Sequence, residues 1–582
     1  MKKQSTIGCR LWGMMSVALV LLGLGAGWVQ AQELKINTRP LTPQETKDYG
    51  LPAGTQIANG THVVGLGQPL YLELFVEKGT VVTQVLWSID NVVDEDGDSI
   101  TNTSSVALLD SPLSNNVPIY DTIDRVNFDV VDRTVLYPDV KGTYEISAQA
   151  LTSNETLNAA IDVVGSVFVG KDNYLCILCH TTKMEDFNQT LHATAFEGLI
   201  NGEDSGHFQE FCIKCHTTGY DAAPGAVNGG FDDVALDTGW AFPETLSTNN
   251  WDDMPDELKA IANIQCESCH GPADEHIQTL GDTSKIAVSL SGGSCGQCHD
   301  APSHHVKNFQ WGTALHARTE VDRTGSCTAC HNTKGFIDAR DPGMNELGEI
   351  VATGGTANEG ITCAACHDPH AAGGQPHQLR DFQSIELENG TVVTEGGAGL
   401  VCMQCHKARR DSETYVFGRL STHFGPHHGP QSDMLAGENA IEYGQDMPSS
   451  KHLSVVHDSC TECHLQSTVG LDLPEYAENR VGEHSFMLKY DDGTNDVIHL
   501  TQACADCHGE LEDFNFGGED YDRDGMVEGV QHEIEDLLYE LGMLLPPLGD
   551  PHIGLHDSTA GYDPIEYRRA VYNYLFVEED GS

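Results

Sequence analysis

Nine times along this chain two cysteines stand three apart with a histidine directly after the second, and this recurrence limits the fold and chemistry more than any other feature. The motifs are Cys176/Cys179/His180, Cys212/Cys215/His216, Cys266/Cys269/His270, Cys295/Cys298/His299, Cys327/Cys330/His331, Cys363/Cys366/His367, Cys402/Cys405/His406, Cys460/Cys463/His464 and Cys504/Cys507/His508. They use 18 of the 19 cysteines and leave only Cys9. A disulfide framework gives no reason for the histidines. Structural zinc needs paired C-x-x-C units and no histidine at the fifth position.

Positions i, i+3 and i+4 share one face of a helical turn. Two thiols so placed can each bond one vinyl group of a single haem while the histidine lies under the iron, which is the attachment chemistry of haem c. Nine covalent haems are therefore expected, each with a motif histidine as proximal ligand. The sixth position of each iron is then either closed by a second side chain or open to substrate. The chain has 28 histidines, and 18 non-motif histidines fall beyond residue 170, twice the number that nine closed sites need. Bis-histidine ligation is the simplest expectation, with His192, His207, His276, His305, His316, His370, His428, His452 and His484 as candidate distal ligands. Histidine capping implies lower potentials than methionine capping, which suits an electron conductor.

The start of the chain, basic "MKK", an apolar run and "VQA" ending at Ala31, reads as a secretory signal over residues 1–31. Cys9 precedes the apolar run and is not placed like a lipoprotein cysteine. No later run is apolar enough for a membrane span. A periplasmic or extracellular location is expected. Formal net charge is -56, which excludes nucleic acid and anionic lipid as natural partners and suits cationic partners or divalent cations.

Residues 32–170 contain no cysteine. Alternating apolar positions predict strands at 69–77, 80–90, 125–131, 142–151 and 157–170, an antiparallel β-sandwich with Trp87 in its core. From residue 171 to 582 the motif starts lie 36, 54, 29, 32, 36, 39, 58 and 44 residues apart, which is no strict period. This part is expected to be a haem-wrapped cytochrome domain of short helices and coil, with helices at 185–200, 256–270, 531–545 and 563–577. One further motif, "DYDRDGMVEGVQ", puts Asp520, Asp522, Asp524 and Glu528 on calcium-loop positions 1, 3, 5 and 9, with Gln531 in place of the closing glutamate. "DEDGD" at Asp94, Asp96 and Asp98 is a second, weaker candidate.

The motifs together with "CAACHDPH", "CMQCHKARR", "GPHHGPQSDMLAG" and "CADCHGE" resemble the multihaem c-type cytochromes of Gram-negative bacteria with doubled CxxCH motifs, over roughly residues 171–577. The strand region resembles the immunoglobulin-like or PKD-like domains found beside many of them. The resemblance implies stacked haems that pass electrons to redox protein partners, other cytochromes among them, with parallel and perpendicular porphyrin pairs alternating. Two features depart from it: no CxxCK motif of the kind found at some catalytic haems is present, and relatives often carry a further histidine-bearing tail. Three readings follow. The first is an electron-transfer protein with all irons closed. The second is a reductase of nitrite, hydroxylamine or a sulfur oxyanion, with one open iron and Arg409 and Arg410 as candidate anion contacts. The third is a self-associating cytochrome whose subunits stack haem to haem.

Overall fold

A computed structural model describes residues 33–93, 108–117, 128–171, 174–203, 207–221, 223, 225–302, 305–318, 325–340, 360–371, 376–418, 424–445, 447–545 and 564–581. The signal region, the "DEDGD" acids and His304 lie outside these residues.

The N-terminal part forms two four-stranded sheets. The first joins β1 (Leu34–Arg39), β3 (Leu70–Glu77), β6 (Phe128–Leu136) and β5 (Leu109–Asp110) in that order. The second joins β2 (Val63–Gly65), β8 (Thr156–Ser166), β7 (Gly142–Thr152) and β4 (Val82–Val93). All pairings are antiparallel except β2 with β8, which is parallel. Strand β7 shows why the sheets face each other: Tyr144, Ile146, Ala148 and Ala150 alternate inward, where they meet Ile36, Leu72, Leu74 and Val76 of the opposite sheet. Trp87 packs partly buried against this cluster, and its indole N–H donates to Asp132 at 3.0 Å. The Tyr144 hydroxyl donates to the Val140 carbonyl at 2.8 Å and accepts from the Val140 N–H at 2.9 Å, pinning the turn before its own strand.

One buried polar network crosses the first sheet. The Glu73 carboxylate takes the guanidinium of Arg133 at 2.7 Å and of Arg39 at 3.2 Å, and Arg39 also meets Glu45 of α1 (Pro43–Asp48) at 2.6 Å. All four side chains are at most 7% exposed, so each charge depends on its partners.

From residue 174 onward the described chain is built from short helical turns. Only Val530–Leu544 and Pro564–Glu578 reach 15 residues. The expected helix over 185–200 is broken at Thr190, whose backbone is extended, into Thr181–Phe187 and the turns Leu191–Thr194 and Glu197–Ile200. The expected helix over 256–270 is broken at Asn263, which has φ +65°. The Asn263 side chain instead accepts the Phe196 N–H at 2.7 Å and ties the two broken segments together. No described helix is long and apolar enough to cross a membrane.

The sheets do not stand apart from the helical region. Thr42 donates to Asp300 at 2.6 Å, Ser294 donates to the Asn59 carbonyl at 2.9 Å, and Lys141 pairs with Asp274 at 2.9 Å. Val63 and Val164 bury against Ala287. The contact therefore lies on the segments carrying the third and fourth motifs.

Candidate haem centres

Each motif sits on a helical turn. Six occupy single helices: Tyr174–Cys179, Cys266–His270, Gly292–His299, Cys363–Cys366, Cys460–His464 and Gln502–His508, with His180 and His367 one residue beyond their ends. Two combine a 3-10 turn with a helix, at Glu210–Cys212 with Ile213–His216 and at Gly325–Cys327 with Thr328–His331. The last begins in helix Leu400–Met403. Within such turns the second cysteine and the histidine fall on the face of the first cysteine.

Seven motif histidines have a second histidine ring opposite. The centroid distances are 6.4 Å for His180 and His276, 6.0 Å for His270 and His370, 6.0 Å for His299 and His192, 6.4 Å for His331 and His427, 6.2 Å for His367 and His484, 5.9 Å for His406 and His316, and 6.1 Å for His508 and His452. With a metal–nitrogen bond of about 2.0 Å and a ring centre about 1.1 Å behind the nitrogen, two imidazoles on opposite sides of one metal stand about 6.2 Å apart. The donor pairs thus fit a six-coordinate metal centre. His305 is 6.3 Å from His299, and it is also the charge neighbour that, after burial, lowers the pKa of His216.

The ring nitrogens are oriented as well as spaced. Nδ1 of His216, His270, His276, His367 and His464 lies 3.1, 2.6, 2.9, 2.9 and 2.9 Å from the carbonyls of Ala195, Ala287, Asp282, His377 and Phe486. Nδ1 of His406 is 3.2 Å from the Gln431 side-chain oxygen. A carbonyl can only accept, so Nδ1 carries the proton and Nε2 keeps its lone pair for a metal. Burial adds to this. It pushes the pKa of His299, His316, His370 and His484 down to about 4, which keeps them neutral near pH 7.

Thirteen motif cysteines are half-buried, and Cys179, Cys266, Cys269, Cys295 and Cys507 are exposed. Phe516 stands edge-on to His508 at 5.1 Å.

His428 turns outward, its Nδ1 3.6 Å from Glu579, while His427 faces His331. His207 is exposed, and its neighbour Phe208 is the ring set edge-on to His216 at 5.5 Å. Arg409 reaches Nε2 of His331 at 3.5 Å, and the Arg410 guanidinium lies 5.7 Å from the Tyr415 ring centre.

Ligand atoms of Asp520, Asp522 and Glu533 lie within 4.8 Å of one another, and Asp524 and Glu528 are not in this group. Glu533 belongs to the helix after the loop, where its buried carboxylate accepts the Tyr521 N–H at 2.8 Å. Asp520 Oδ1 is buried with no hydrogen-bond partner.

Two likenesses to known proteins agree with this chemistry. Residues 175–234 match the family described as cytochrome c554 and c-prime. The chain is also 25% identical over 135 residues to the multiheme cytochrome MtrA of Shewanella baltica (strain OS185), a match covering 19% of this chain and 37% of that protein. The chain thus spans well under two thirds of the relative it matches. Together with the nine motifs, these likenesses support a multihaem c-type cytochrome.

Proposed function

We propose that the protein is a periplasmic or extracellular electron conduit that binds nine haem c groups and closes most of their irons with two histidines. The observation that carries this is the set of seven histidine ring pairs at 5.9–6.4 Å, each containing a motif histidine. When bound, haem c supplies a one-electron couple whose potential is tuned by its axial ligands and surroundings. The chain's own part is attachment, orientation and exclusion of substrate. The 18 motif cysteines hold the porphyrin edges, and four motif histidines, His216, His270, His367 and His464, present Nε2 with Nδ1 tied to backbone carbonyls. The opposite histidines occupy the position a substrate would need.

Conduction through closed irons requires no acid, base or nucleophile. Partners are other redox proteins, with positively charged docking faces favoured by the net charge of -56. The sheet region acts as an immunoglobulin- or PKD-like module that holds the third and fourth motifs. The acidic loop binds calcium through Asp520, Asp522 and Glu533.

Electron paramagnetic resonance of the oxidised, haem-loaded chain, with spins counted against total haem, tests this reading. Nine haems per chain, nearly all low-spin with bis-histidine signatures, is the expected result. A substantial high-spin population would overturn the closed-iron reading and favour a reductase.

A further inference from the structure

Ring pairs and cysteine contacts recur in one pattern along the chain. Three stretches each open with a non-motif histidine: His192 ahead of the motifs starting at Cys212, Cys266 and Cys295, His316 ahead of those at Cys327, Cys363 and Cys402, and His452 ahead of those at Cys460 and Cys504. In each stretch the opening histidine faces the histidine of the last motif, at 6.0, 5.9 and 6.1 Å.

The motif turns repeat the same relation. In each stretch the penultimate and last motifs touch: the Gln297 side chain donates to the Ser268 carbonyl at 2.8 Å, Cys366 and Cys402 pack in one cluster, and helix Cys460–His464 contacts helix Gln502–His508. In both stretches with three motifs, the second cysteine of the last motif meets the second cysteine of the first. Cys298 Sγ lies 3.6 Å from the Cys215 carbonyl and Cys215 Sγ 3.8 Å from the Gln297 carbonyl, and Cys405 Sγ lies 3.8 Å from the carbonyl of Ala329, the residue before Cys330. Penultimate motifs take their opposite histidine from the following stretch, His270 from His370 and His367 from His484.

We infer that residues 191–508 are successive copies of one ligand-exchanging unit, in which the opening histidine serves the iron of the last motif and the last motif forms a junction between the other two. This inference rests on the haem reading above. The spacings conceal it, because the motif starts within the two complete units differ by 54 and 29 residues in one and by 36 and 39 in the other. The contacts conserve what the spacing does not.

The junctions define a branched route. Gln297 joins the motifs at Cys266 and Cys295. The next step, to the motif at Cys363, is made by the Thr362 hydroxyl donating to the Leu290 carbonyl at 2.6 Å and by Leu290 packing with Ala365. From there Cys366 packs with Cys402 in one cluster, Cys460 packs with Leu400 and Met403 on either side of Cys402, and helix Cys460–His464 contacts helix Gln502–His508. The motifs at Cys212 and Cys327 hang from this line as side arms, at Cys298 and Cys405. One-electron partners would therefore meet the chain at side arms as well as at its ends.

The test is ligand replacement in the haem-loaded full chain. His192→Met and His316→Met should each produce one iron–methionine near-infrared band per chain. For His192→Met, the band should vanish when Cys295→Ala/Cys298→Ala removes the last motif's haem and persist when Cys212→Ala/Cys215→Ala removes the neighbouring one. For His316→Met the corresponding pairs are Cys402/Cys405 and Cys327/Cys330. The reverse pattern, or no band at normal haem content, overturns the inference. Absence of covalent haem in the unaltered chain defeats the haem reading itself. Should the cysteine variants fail to accumulate, an experimental structure of the haem-loaded chain decides: His192 on the iron of Cys295/Cys298 supports the unit, and His192 on that of Cys212/Cys215 overturns it.

Discussion

His427 and His428 are neighbours of identical chemistry, and the backbone separates their roles. Both have positive φ, +80° and +41°, and the Glu579 carboxylate accepts the His428 N–H at 2.9 Å, which turns that ring outward and leaves His427 against His331. His427→Ala should therefore convert one low-spin haem per chain to high spin, while His428→Ala should leave the spin count unchanged, as read by electron paramagnetic resonance. A sequence shows two histidines in a row and cannot show which way each faces, so the pair was legible and the choice was not. Glu533 is a similar case: it lies beyond the calcium-loop register, and only the return of the following helix brings it to Asp520 and Asp522. Glu533→Gln should weaken calcium binding at least tenfold by titration calorimetry, and Glu528→Gln should change it little. Glu267, inside the third motif, carries a pH effect. Burial pushes its carboxyl up to about 7, against the N–H groups of Ala273, Gly170 and Val169, which favour the ionised form. Between its unfolded value near 4.5 and about 7 the folded state binds more protons, so this group's contribution to stability falls as pH rises through that window. Urea midpoints of the haem-loaded chain should show that slope, and Glu267→Gln should flatten it.

Among the elements, the strands were the most legible. The patterns over 142–151 and 69–77 foretold β7 and β3 within a residue, β7 because one face is buried against the other sheet and β3 because it is buried on both faces and reads as a nearly continuous apolar run. Strands β2 and β5, of three and two residues, are too short to leave a period. The helices at 530–544 and 564–578 were legible for the opposite reason, being long enough to show one, whereas those near residues 190 and 263 were cut by local hydrogen bonding that periodicity does not encode. The Glu73 network is the element-scale weak point of the first sheet. Glu73→Ala leaves two buried guanidinium groups short of their carboxylate and should cost about 3–5 kcal/mol in denaturant unfolding of the sheet region. Gly271, directly after His270, has φ +80°, and an added Cβ would lie 2.5 Å from the Val63 carbonyl. Its glycine is required by both conformation and contact.

At the scale of the whole molecule, charge governs encounter. A net charge of -56 should make electron transfer from a cationic donor fall steeply with ionic strength, about tenfold or more from low salt to 0.5 M by stopped-flow mixing. An anionic donor should show the opposite trend. The attachment chemistry was readable at this scale because each motif is complete within five residues. The pairing of histidines was not, because partners such as His270 and His370 or His367 and His484 are far apart in sequence and interleave. That interleaving sets a timetable for biogenesis. On the haem reading proposed above, the motifs of His270 and His367 could capture their porphyrins as soon as five residues are available, but their irons would be closed only when His370 and His484, roughly a hundred residues later, have arrived, whereas His192, His316 and His452 precede the motifs they face. A growing chain would thus pass through a stage with these two haems attached but half-ligated, and a truncation before His484 would leave the centre of His367 open.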